Sequence, residues 1–170
     1  MTPAVHGLLI WALLFGGLRA GGQSPAGGAQ RPGTETRVTL SNDHPEGSFL
    51  IPPEILAAPP AVLALTMTQV INPAKTAFQI FVYLSYHPGS GEKRRAAPAK
   101  ILIGNVSLYP PDRPAGFLLR ASTAFRKLKA ATSKSSDVRL VLEMKRIHPA
   151  KPWTPVEVTV APPEWRTGAE

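Results

Sequence analysis

Cysteine is absent from the 170-residue chain, which excludes a disulfide framework and thiolate metal sites alike. Histidine is nearly as scarce: there are four, and His6 lies in the N-terminal segment that reads as a signal. His44, His87 and His148 each precede a proline, far apart in sequence. The motifs of catalysis are missing too. No Gly-x-Ser-x-Gly elbow occurs, Ser, His and Asp fall in no recognisable setting, and no glycine-rich loop is present to cradle phosphate. The chain is therefore expected to be non-catalytic and to need no cofactor.

Proline, by contrast, is abundant, with 19 residues beside 14 glycines, while apolar residues make up an ordinary 44%. Proline removes a ladder donor and is expelled from central strands. Many prolines between short apolar runs therefore predict a β-rich domain with rigid connections. Without crosslinks, that domain must hold together by burial, at about 25 cal/mol per Å2 of apolar surface.

The first 35 residues lie outside that core. An apolar run from Leu8 to Leu18 is too short to span a bilayer and suits the hydrophobic region of a signal peptide. Ala20 and Gly22 occupy the positions a signal peptidase reads, so residues 1–22 are expected to be a cleaved signal and the protein secreted or periplasmic. The run lacks a preceding Lys or Arg, which leaves an uncleaved membrane anchor as the rival. Residues 23–35, rich in Pro, Gly and Ala, read as a flexible linker.

From residue 36 to 165 the pattern is that of one antiparallel β-sandwich of about six to seven strands with one short helix. "TRVTL" (36–40) alternates, "SNDHPEGS" is a turn cluster, and "FLIPPEILAAPP" (49–60) reads as irregular. In "AVLALTMTQVI" (61–71), Leu63, Leu65, Met67 and Gln69 share one face. In "AFQIFVYLSY" (77–86), Phe78, Ile80, Val82 and Leu84 are predicted to fill the core. Its other face carries Phe81 and Tyr83, expected to lie beneath the short helix or a partner. "ILIGNVSLYP" (101–110) is a strand whose Gly104 suggests a bulge or close crossing. After "PDRPAG", Ser122 or Thr123 is expected to cap a helix that points Phe125 and Leu128 inward. "VRLVLEMKRI" (138–147) and "PVEVTVAP" (155–162) complete the strands, and residues 166–170 read as a disordered tail.

The stretch from about 60 to 163 resembles the small C-terminal domain of plant polyphenol oxidases, of the tyrosinase class. The carriers are "TAFQIFVYL" (76–84), similar to that domain's opening Phe-x-x-Phe-Val strand but lacking its Lys and Asp, and "LIGNVSLYPPD" (102–112). "FLLRASTAFRKL", "SKSSD", "VRLVLEM" and "VEVTVAP" follow in the family's order. The resemblance implies a β-sandwich that covers and holds latent a di-copper oxidase carried on another chain. It does not imply oxidase chemistry here, because two coppers, each held by three imidazoles, need more histidines than these.

Three site hypotheses remain. Lys93, Arg94, Arg95, Arg126, Lys127 and Lys129 belong to basic clusters on a chain of net charge +8. On one face they would dock an acidic ligand or cell-envelope component. No nucleic-acid recognition motif accompanies the charge, so nucleic acid is not expected. Phe81 and Tyr83 are the candidate partner contacts, for a copper oxidase or another secreted protein. A convergence of His44, His87 and His148 on copper is the third, against which His-Pro pairs are ordinary turn chemistry and no metal is expected; a membrane enters only through an uncleaved N-terminus. Met67 and Met144 suit the core better than thioether ligation. Glu54, Glu143 and Glu157 suit surface ion pairing, with Arg139 or Lys145 close by, better than acid–base work.

Overall fold

Alternation in the central strands of one sheet sets the architecture. A computed structural model describes residues 37–88, 97–131, 137–148 and 154–167; the expected signal peptide, the linker and Lys93, Arg94 and Arg95 lie outside the described residues. Strand β4 (Phe78–Tyr86) buries Phe78, Ile80, Val82 and Leu84, as its two-residue period requires. Its antiparallel neighbour β7 (Arg139–Arg146) buries Leu140, Leu142 and Met144 toward the same side. With β2 (Glu46–Leu50) and β5 (Ala99–Ser107) they form a sheet in the order β2-β7-β4-β5.

The second sheet centres on β3 (Val62–Ile71), whose Leu63, Leu65 and Met67 are buried. One edge of β3 pairs with β6 (Ala115–Arg120). Its other edge is shared by β8 (Glu157–Val160) and β9 (Glu164–Arg166), which meet successive parts of β3, and β1 (Val38–Ser41) lies outside β8. All pairings in both sheets are antiparallel. The buried residues of the two sheets form one cluster, completed by Ala124, Phe125 and Leu128 of helix α2 (Ser122–Ala131). The fold is an all-β sandwich, and the described residues belong to one unit.

Nine strands and two helices among the described residues exceed the six or seven strands and one helix expected. Strand β2 hides in the expected turn because Glu46, Gly47 and Ser48 show no apolar alternation; Gly47 is there to make room for the facing sheet. A Cβ on it would stand 2.2 Å from Val38 Cγ1 and 3.1 Å from Leu40 Cδ2. The segment read as irregular holds the short helix α1 (Pro53–Ala57), with proline in its first turn, where its missing N–H costs nothing. Strand β6 occupies the approach to α2, at the edge of its sheet and with Leu118 exposed. Helix α2 starts at Ser122 itself, after buried Ala121, whose carbonyl accepts from the Phe125 N–H. The Thr123 hydroxyl instead accepts from Arg126. Arg166, assigned to the tail, is the last residue of β9 and pairs with Val62.

Two irregularities set which side chains face outward. A register shift between Met67 and Gln69 turns Gln69 out to solvent and leaves Val70 against the core. Gly104 proves to be both things its position suggests. Val82 pairs with Gly104 and Tyr83 with Leu102, so Ile103 is the extra residue of a bulge. A Cβ at Gly104 would come within 3.2 Å of Leu119 from the opposite sheet.

Candidate functional site

The outer face of the four-stranded sheet carries the candidate partner contacts. Strand register aligns its side chains in rows: Glu46, Glu143, Phe81 and Asn105; then Ser48, Val141, Tyr83 and Leu102; then Leu50, Arg139, Ser85 and Lys100. The middle row is mainly apolar, with Leu102 51% exposed and Leu50 57% exposed on the next row. Phe81 and Tyr83 are half-buried, their rings 6.3 Å apart and inclined by only 16°.

Lysines roof these rings. Lys100 Nζ stands 5.5 Å from the Tyr83 ring centroid and continues to Glu46 at 2.6 Å. Lys100 and Glu46 lie on opposite edge strands, so the two edges curl toward each other over this face. Lys145 Nζ sits 5.0 Å from the Phe81 centroid and pairs with Glu143 at 3.1 Å. The Glu143 carboxylate, bonded to that ammonium, raises the Lys145 pKa above its ordinary value, against a smaller opposing effect of desolvation. Under this cover Val141, an outward residue, is only 4% exposed. The helix takes no part: α2 packs its apolar residues into the inter-sheet core, where Phe125 meets Trp165 edge-on at 5.6 Å. The expectation that Phe81 and Tyr83 lie beneath the helix is therefore corrected.

The basic residues divide. Arg126, Lys127 and Lys129 are exposed on α2, and no described carboxylate pairs with them. Lys93, Arg94 and Arg95 fall outside the described residues.

The three histidines are not brought together. Antiparallel pairing sets Ser85 beside Arg139 and Phe78 beside Arg146. His87, just beyond β4, thus lies at the opposite end of the sheet from His148. His44 sits with the latter end, where the Pro45 carbonyl accepts from Met144 N–H. No group of three His, Asp or Glu among the described residues is placed to hold a metal. Met67 and Met144 are buried core residues. Of the acidic candidates, Glu143 pairs with Lys145 along its own strand, whereas Arg139 donates to the Ser48 hydroxyl.

Sequence reasoning missed Leu102, Leu50, Lys100 and Val141 as members of the sheet face. Leu102 carried no signal of its own, since its neighbours Ile101 and Ile103 are equally apolar, and the Lys100–Glu46 span was hidden by the 54 residues between its ends. No protein family, curated protein or solved structure matches this chain, so the likeness to the polyphenol oxidase domain rests on the quoted residues alone.

Proposed function

We propose that this protein is a non-catalytic, exported interaction module that docks a partner protein on the outer face of its four-stranded sheet. The reading is carried by one observation: the aromatic pair, Leu50 and Leu102 are presented on a face the sandwich core does not use. Aromatic and Arg side chains within a charged rim are the composition of interface centres. The lysine roof is no obstacle, because ion pairs between exposed side chains are screened by solvent and contribute little. A partner that inserts an apolar group between Tyr83 and Leu102 displaces Lys100 at little cost and leaves it at the rim.

Four strands about 4.8 Å apart, with a rise of about 3.4 Å per residue, give this face roughly 500–600 Å2. A standard interface uses about 800 Å2 per partner, so this face alone falls in the small size class typical of transient complexes. The partner we propose, following the resemblance, is a tyrosinase-class di-copper oxidase on a separate chain, shielded or assisted by this one. The test is titration of the full chain into such an oxidase encoded beside it, following both binding and phenol oxidation. Binding with a changed oxidation rate is expected, weakened at least tenfold by Leu102→Asp and by Tyr83→Ala. An oxidase that ignores the chain would remove this partner.

A second reading has its own support. Between Asp112 and Asp137 the chain holds six Lys or Arg and no carboxylate, and the three cations on α2 are exposed. This arrangement favours an acidic ligand.

A further inference from the structure

Helix α2 lays Ser122, Phe125, Arg126 and Lys129 along one wall of a surface groove, at the spacing that puts residues on one helical face. The opposite wall and floor come from Pro59–Ala61 and Thr167. The floor is held from two sides: the Ala61 N–H donates to the Arg166 carbonyl at 3.1 Å, and the Ala61 carbonyl accepts from Ala121 at 2.9 Å. Two cationic side chains, those of Arg126 and Lys129, line this groove, which is about 10 Å long by the helical rise from Ser122 to Lys129. No carboxylate is among its described lining residues.

We infer that this groove binds an acidic oligosaccharide, its anionic groups on Arg126 and Lys129 and its hydroxyls on Ser122 and Thr167. The inference rests on the second reading above and gives it a location. Charge complementarity selects an anion, and the distance between Arg126 and Lys129, about 5–6 Å between Cβ atoms, selects a ligand with repeated charges. Single-stranded nucleic acid is disfavoured by the lining. Such grooves stack bases on exposed aromatic rings, whereas Phe125 here is buried and turned onto Trp165.

A heparin-derived tetrasaccharide titrated into the full chain tests this by calorimetry at two salt concentrations. Binding should weaken as salt rises. It should fall at least tenfold in Arg126→Glu/Lys129→Glu, and partly in the milder Arg126→Gln/Lys129→Gln, with melting temperatures close to the parent because both sites are exposed. Unchanged affinity in both variants overturns the groove. If binding is lost instead in Lys93→Glu/Arg94→Glu/Arg95→Glu, the acidic-ligand reading survives and the groove does not. No binding by the parent chain overturns both. An oligothymidylate of equal charge that binds as tightly overturns the saccharide.

Discussion

Replacing Gly47 by alanine probes how closely the two sheets meet. The new Cβ would lie 2.2 Å from Val38 Cγ1 and 3.1 Å from Leu40 Cδ2, both on β1 of the facing sheet. Val38 is β-branched and stiff at χ1, so its methyl cannot swing away freely. Either the side chain leaves its preferred rotamer or β1 moves outward. Over-packing of this kind costs about 1–3 kcal/mol. Replacing glycine restricts the unfolded chain and returns about 0.4–1 kcal/mol. The difference spans about 0–2.6 kcal/mol. An approach as close as 2.2 Å places the net loss in the upper half, about 1.3–2.6 kcal/mol, a fall of roughly 3–10 °C in melting temperature for a domain of this size. Val38→Ala relieves the contact but costs about 2 kcal/mol as two methyl groups leave the core. The double variant should therefore be about 1 kcal/mol more stable than the sum of the singles, because the two sites touch. Urea unfolding of all four proteins measures the coupling. A neutral Gly47→Ala, or strictly additive losses, would mean that β1 and β2 do not pack as described.

Three further predictions concern the turn and the roof. Asn72 is buried and uses its whole carboxamide, donating to the Thr76 and Pro111 carbonyls and accepting from the Thr76 N–H, each at 2.9 Å; Asn72→Ala should cost about 2–3 kcal/mol by urea unfolding. Lys75 holds a left-handed backbone with φ of 50° in that turn, so Lys75→Gly should stabilise by about 1 kcal/mol in the same assay, since the exposed pair with Asp112 contributes little. Glu143→Gln should lower the Lys145 pKa, as read by NMR of the side chain, because the hydrogen-bonded carboxylate is what raises it. A raised folded-state value adds stability below the unfolded lysine pKa that disappears as pH climbs through the folded one; the Glu143→Gln protein should lose less stability across that alkaline window.

The long strands were legible because burial on one face imposes a period of two. Phe78 through Leu84 follow it, and so do Val138 through Met144 except at Val141, which is buried on the outer face instead. Legibility failed where packing overrode pattern. Gly47 marks a strand by lacking a side chain, an absence that in sequence reads as a turn. Gln69 was set inward by strict alternation, but the bulge beside it resets the phase. Phe81 and Tyr83 were recognisable as an unusual outer face, whereas their cover was not. Lysines from β5 and β7 supply it, and their position depends on register and sheet curvature. The cations of α2 were read individually; the groove they line also needs Pro59–Ala61 and Thr167, brought there by strand pairing.

The outer sheet face is the centre of the account, and NMR mapping with a bound partner interrogates it most directly. With isotope-labelled chain and increasing unlabelled oxidase, the largest shift changes should fall on Phe81, Tyr83, Lys100, Leu102 and Lys145. Changes confined to the opposite sheet, or binding that leaves these five residues undisturbed, would contradict it.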